Sequence, residues 1–65
     1  MKLALQVQTH TGRWETINTT DGPEENRVSM VAELLKLRDE WVCIGMFVGM
    51  KFRIYNKSGR KALVL

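Results

Sequence analysis

A single segment of helical periodicity divides this 65-residue chain into two stretches of β character. From about Pro23 to Asp39 apolar residues recur at spacings of three and four, with no glycine or proline after Pro23, which is typical of an amphipathic helix. Each flanking stretch contains two short runs of strand-forming residues that are separated by a turn containing glycine, the pattern of a β-hairpin. A chain this short can form only one small core. That core has to be assembled from one helix and four strands.

The two hairpins are defined by their alternation and by their turns. Apolar and polar side chains alternate over Leu3–Val7, and the turn at Gly12 returns the chain into a second strand. A third strand is predicted over Lys51–Asn56, followed by a turn at Gly59 and a last strand over Ala62–Leu65. Both turn glycines are expected to adopt the left-handed backbone that such loops need.

The residues that flank the helix carry signals of their own. Asp21 is expected to cap the helix, and Glu24, three residues on, would complete a capping box. After the helix, Trp41–Met50 is the most apolar part of the chain. The glycines at 45 and 49 permit bends, so the stretch is either a short strand or a packed loop.

Together these elements predict an α+β fold in the order β-β-α-β-β, with residues 1–65 as a single domain. The sheet would be four-stranded and largely antiparallel, with the helix on one face. One helix leaves the opposite face of such a sheet uncovered. By parity this open face is expected to hold Phe47, Arg53 and Tyr55 among polar residues, and Trp14 or Trp41 would border it.

The net charge of +3 is unevenly distributed, because residues 41–65 hold five basic side chains and no acid while residues 21–40 are acidic. A segregated basic segment indicates an anionic partner. Basic residues on a sheet edge also protect it from aggregation and aid solubility. The composition leaves both interpretations open.

Catalytic and metal chemistry find little support in the sequence. His10 and Cys43 are the only residues of their types and belong to different elements, and nothing pairs them as nucleophile and base. Cys43 lies between two apolar residues and is expected to be buried and inert. One Cys and one His cannot form a structural zinc site, and no phosphate-binding loop or dinucleotide fingerprint is present. We therefore predict a protein that is not an enzyme and has no cofactor or metal.

The same features bear on location. A single cysteine allows no internal disulfide, which is unusual for a secreted domain of this size, so a cytoplasmic protein is expected. The longest apolar run has ten residues, about half of the ~20 that a membrane-spanning helix needs. No membrane association is predicted.

Two stretches, Leu5–Ile17 and Lys51–Arg60, resemble the small accessory proteins encoded by bacteriophages and mobile elements. Such proteins commonly bind a host protein in order to block or redirect it. The resemblance therefore implies a phage-type inhibitor or modulator whose partner is a host or bacterial protein, such as a defence protein.

Two functional hypotheses follow. The first is a protein-binding module that acts through an aromatic and basic sheet face and also forms a homodimer. Its contacts would be residues of the kinds that most often anchor interfaces, namely Trp14, Trp41, Phe47, Arg53 and Tyr55. The alternative is a nucleic-acid or nucleotide-binding protein that uses the basic C-terminal hairpin. Its phosphate contacts would be Arg13, Lys51, Arg53, Lys57, Arg60 and Lys61.

Overall fold

The computed structural model describes the backbone of residues 1–64 and the side chains of residues 1–63, so the last residue of the predicted fourth strand, Leu65, lies outside the described residues. The elements in chain order are β1 (Lys2–Gln8), β2 (Trp14–Asp21), a 3₁₀ turn (Glu24–Asn26), α1 (Arg27–Cys43), β3 (Phe52–Asn56) and β4 (Lys61–Val64). The predicted α+β fold in the order β-β-α-β-β is confirmed. Within residues 1–64, no helix combines the length and the apolar character needed to span a membrane.

The four strands form one antiparallel sheet in the order β2-β1-β3-β4. Strand β1 is central, pairing with β2 across the first hairpin and with β3 across the helical connection. The register places Leu5 opposite both Asn18 and Ile54, so these three side chains share a face. One irregularity interrupts the β1–β2 ladder, where Ile17 is an extra residue on β2. Such a bulge bends and twists its strand.

The core lies between the sheet and α1. It consists of alternate residues of β1 and β3 together with two helix residues: Leu3, Leu5, Val7, Met30, Leu34, Phe52 and Ile54. Burying each of these large side chains contributes about 1.5–3 kcal/mol. Val31 and Leu35 pack against this cluster from the helix, as the periodicity predicts. Val28 continues the same spacing but is 84% exposed, so the apolar stripe is narrower than its periodicity predicts.

The helix covers one half of its side of the sheet. It packs mainly on β2 and β1, approaches β3 less closely and makes no comparable approach to β4 in the described part of the chain. The half of the sheet formed by β3 and β4 is therefore held mainly through its pairing with β1.

The predicted capping of the helix by Asp21 is wrong. Asp21 is the last residue of β2 and pairs with Lys2, and its carboxylate lies 3.9 Å from the ammonium group of Met1. Strand pairing therefore holds this residue away from the helix. The chain enters α1 through the 3₁₀ turn, with no hydrogen bond from a capping side chain at either start.

The helix also ends four residues later than the sequence predicts, at Cys43 instead of Asp39. The N–H of Gly45 donates to the carbonyl of Val42 (3.0 Å) and the N–H of Met46 donates to that of Trp41 (3.0 Å). This pair of bonds, with Gly45 at φ 85°, is a Schellman motif, which commonly terminates helices. Residues 44–51 form a loop, which decides between the two structures left open for this stretch.

The additional helical turn changes the surroundings of Cys43. The thiol lies at the end of α1 and is exposed, so the expected burial of this residue is wrong. Apolar neighbours in sequence point in different directions around a helix, and Val42 is itself 40% exposed.

The turn at Gly12 has the expected left-handed backbone, with φ 87°. In the second hairpin the expectation for Gly59 is wrong, because Arg60 is the left-handed residue there, with φ 53°. Asn56 shapes this turn: its Oδ1 accepts hydrogen bonds from the N–H groups of Ser58 (3.0 Å) and Gly59 (3.1 Å). This is the local bonding by which asparagine favours turns.

A candidate interface on the open face of the sheet

The side of the sheet opposite α1 carries a connected cluster of polar and aromatic side chains. Residues paired across antiparallel strands share a face, and the register pairs Gln6 with Thr16 on β2 and with Arg53 on β3. Trp14 and Tyr55 belong to the same face, because they occupy alternate positions on these two strands. We call this side the open face.

Gln6 is the centre of the cluster and is only 8% exposed. Its Nε2 donates to Thr16 Oγ1 (3.0 Å), and its Oε1 accepts from Arg53 Nε (2.7 Å). Because arginine can only donate, the oxygen of the amide has to face Arg53 and the nitrogen has to face Thr16. The buried amide therefore holds the arginine in one orientation.

Arg53 lies against two aromatic rings. Its Cζ is 4.4 Å from the centroid of Trp14 and 5.1 Å from that of Tyr55, within the range of cation–π attraction. Of the five N–H donors of a guanidinium, only the one on Nε has a partner among the described residues. The four terminal donors remain available on a group that is already held in place. A guanidinium held in this way is suited to binding a carboxylate or phosphate through two parallel hydrogen bonds.

Two lysines extend the positive charge of the open face at the ends of β3. The N–H of Gln8 donates to the carbonyl of Lys51 (2.9 Å), and the N–H of Lys57 donates to that of Lys2 (3.0 Å). These bonds continue the β1–β3 pairing beyond the strand ends, so Lys51 and Lys57 join the parity of Arg53. Asp21, opposite Lys2, places one acid at a corner of this otherwise basic face.

The sequence-predicted contact residues do not all meet. Trp14, Arg53 and Tyr55 come together, whereas Trp41 and Phe47 lie on the α1 side of the sheet. Their rings are 5.4 Å apart, and Phe47 also packs 6.4 Å from Phe52. Trp41 Nε1 donates to Asn18 Oδ1 (2.7 Å). Placing Phe47 on the open face by parity is wrong because residues 44–51 are a loop that packs against the core.

The cations of the alternative hypothesis are likewise divided. Lys51, Arg53 and Lys57 share the open face. Lys61 pairs with Asn56 and belongs to the α1 side, Arg60 lies in the turn, and Arg13 precedes β2 in the first loop. The basic C-terminal hairpin is therefore not one continuous patch.

Sequence reasoning missed the roles of Gln6 and Thr16. Parity places Gln6 on the open face, but it does not reveal that this amide is buried. The available signal is a glutamine in the middle of an apolar strand, since a buried polar side chain requires bonding partners. Thr16 follows only from the register, which depends on the bulge at Ile17.

The residues considered for catalysis lie apart from this cluster. His10 is exposed in the loop between β1 and β2, and Cys43 lies at the end of α1. Among residues 1–64, no three His, Cys, Asp or Glu side chains are grouped so that they could hold a metal ion.

The shape of the open face also bears on what it can bind. The cluster lies on a sheet surface, and the two cavities that we describe below and in the Discussion lie on the α1 side. A flat surface with a central arginine and two rings suits a macromolecular partner better than a small molecule, which usually binds in a concave site. Comparison with protein-family models, with curated proteins and with solved structures finds no match to this chain.

Proposed function

We propose that this chain is a non-catalytic binding module that binds an acidic surface of a host or bacterial protein through its open face. The observation that carries this proposal is the state of Arg53. Its guanidinium lies against Trp14 and Tyr55 and is oriented by Gln6, while its four terminal donors have no partner among the described residues.

Preorganisation is the physical reason to expect affinity from so small a surface. An arginine that is free in solution loses side-chain entropy when it binds, roughly 0.5–1.5 kcal/mol for a side chain of this kind. Arg53 has lost part of that freedom before binding. Arginine and tryptophan are also the residues most often found at interface hot spots, and here they are in contact.

The charge of the face defines the partner. Lys51 and Lys57 flank Arg53 and would attract an acidic protein surface over a distance of about one Debye length, ~10 Å. The resemblance to phage accessory proteins supports a more specific role, an inhibitor or modulator that occludes a host or defence protein in the cytoplasm. We also propose that the module forms a homodimer, supported by exposed apolar residues near the end of α1.

A second candidate, nucleic-acid binding, is favoured by one observation. Lys51, Arg53 and Lys57 share the parity of two aromatic rings on a four-stranded sheet. Single-stranded nucleic acids are commonly held by such a combination, in which bases stack on rings and cations contact phosphates. The division of the remaining cations between different surfaces makes this the weaker candidate.

The test is affinity capture from a bacterial lysate on the immobilised chain, with and without nuclease, followed by identification of the retained proteins by mass spectrometry. Arg53→Gln removes the proposed anchor. Lys36→Gln is the matched control, because it removes one positive charge from an exposed position on α1. Arg53→Lys keeps the charge but lacks the planar group with paired donors.

We expect the unmodified chain and Lys36→Gln to retain the same nuclease-resistant protein, and both Arg53 variants to lose most of it. Retention of the protein by Arg53→Gln would contradict the proposal. Recovery of nuclease-sensitive material alone would favour nucleic acid, and that binding would weaken steeply between ~50 and ~200 mM salt.

A further inference from the structure

A second surface lies on the α1 side of the sheet, away from the open face. Because α1 packs mainly on β2 and β1, a groove of about 300 Å³ remains between the helix and the β3–β4 half of the sheet. Leu3, Val31 and Ile54 contribute apolar groups to its lining. The groove is thus continuous with the hydrophobic core.

The groove runs beside a free sheet edge. Strand β4 pairs only with β3, and the outer edge of such a strand carries backbone N–H and C=O groups available to another strand. The other edge strand, β2, is interrupted by the bulge at Ile17, which discourages such pairing. On β4, Leu63 lines the groove and is 58% exposed.

The polar lining of the groove is cationic. Arg27 on α1 and Lys61 on β4 both line it, and neither is paired with a carboxylate among the described residues. An occupant that carries a carboxylate between apolar side chains would match the charge and the lining together.

We propose that the groove and the free edge of β4 bind an extended peptide segment that adds to the sheet as a fifth strand. Apolar side chains of the segment would enter the groove, and an acidic side chain of the same parity would contact Arg27 and Lys61. Strand addition of this kind obtains affinity from main-chain hydrogen bonds and specificity from alternate side chains. This proposal does not depend on the function of the open face.

A second copy of the chain is a poorer occupant. Self-pairing of two four-residue strands, each roughly 13 Å long, would bring two basic hairpins within little more than one Debye length, ~10 Å. The turn that precedes β4 carries Lys57 and Arg60, and β4 itself begins with Lys61. Repulsion between these groups opposes the pairing.

The experiment is NMR titration of the isotope-labelled full chain with the synthetic, end-blocked peptide Thr-Val-Thr-Glu-Thr-Val-Thr. A second peptide has lysine in place of glutamate, and a third has proline in place of the central threonine that precedes glutamate, which removes a main-chain donor. The protein variants are Lys61→Gln, its hairpin control Lys57→Gln on the opposite face, and Arg53→Gln.

We expect shift changes centred on residues 61–63 and on Arg27 and Val31, with binding weakened about 2- to 5-fold by Lys61→Gln, the range for partly exposed charge pairs. Lys57→Gln and Arg53→Gln should bind as the unmodified chain does, and the lysine and proline peptides should bind weakly. The proposal is overturned if the proline peptide binds equally well, if the shifts centre on Trp14, or if no peptide binds. Dimerisation of the free chain through β4 would also overturn it.

Discussion

At the scale of single residues, the buried amide of Gln6 connects stability with recognition. It bonds Thr16 on one neighbouring strand and Arg53 on the other, so it joins three strands on the face that α1 does not cover. Removing a buried partner costs more than the hydrogen bonds themselves contribute, because the groups left behind are still desolvated. The residue is therefore expected to stabilise the sheet and to orient Arg53.

We predict that Gln6→Met lowers the free energy of unfolding by about 1–2 kcal/mol, since it keeps the volume but removes both hydrogen bonds. The measurement is urea denaturation. Gln8→Met is the matched control on the same strand and face, because the single bond of Gln8, to the carbonyl of Gly12, is exposed. Equal stabilities of the two variants would contradict this role for Gln6.

At the scale of elements, the end of α1 depends on one backbone conformation. Gly45 adopts φ 85°, and a Cβ placed on it would meet no atom within 4 Å. Steric contact with the rest of the protein is thus absent, and the cost of a side chain here comes from the left-handed backbone alone.

Replacing Gly45 by L-alanine is predicted to destabilise the chain by about 1–2 kcal/mol. A chain of 65 residues is accessible to chemical synthesis, so D-alanine, which favours positive φ, can serve as the control at the same position. Thermal unfolding should show D-alanine at least as stable as glycine. Equal destabilisation by both alanines would mean that the helix end tolerates no side chain for another reason.

The same helix end shows which parts of the fold the sequence could predict. Alternation and periodicity identified all four strands and the helix because these patterns reflect burial on one side. They misplaced the helix end because the stretch from Trp41 is apolar in either structure, and only the bonds at Gly45 distinguish a helix terminus from a bend. Asp21 was misassigned because pairing with Lys2 competes with capping.

For the candidate site, parity within one strand was sufficient for Arg53 and Tyr55, which alternate on β3. Trp14 required the pairing of β2 with β1, and therefore the bulge at Ile17, which no local pattern announces. Phe47 was misplaced because alternation was extended into residues that form a loop. Sequence patterns thus predicted same-strand neighbours correctly and failed where placement depends on register or on loop path.

At the scale of the whole molecule, the chain is a two-layer plate measuring 32 × 23 × 15 Å. A body this thin cannot bury all of its apolar residues. Four of its exposed large apolar side chains fall between residues 42 and 48: Val42, Ile44, Met46 and Val48. Beside them a cavity of about 280 Å³ is lined by Trp41 and Ile44. Exposed apolar groups of this kind often mark contacts between proteins.

We predict that the chain self-associates through these residues and that the double variant Ile44→Ser/Val48→Ser shifts it toward the monomer. Sedimentation equilibrium over a concentration series is the measurement. Val28→Ser is the control, because Val28 is 84% exposed at the other end of α1. A monomeric unmodified chain, or an equal shift in the control, would contradict the prediction.

The positions of the two tryptophans have a practical consequence. Trp14 lies against Arg53 on the open face, and Trp41 lies against Phe47 on the other side of the sheet. With these two indoles the chain carries one intrinsic fluorophore for each surface, and single Trp→Phe variants separate their signals. Emission from Trp14 reports what reaches the guanidinium, while emission from Trp41 reports events at the end of the helix, with no extrinsic dye attached to either surface.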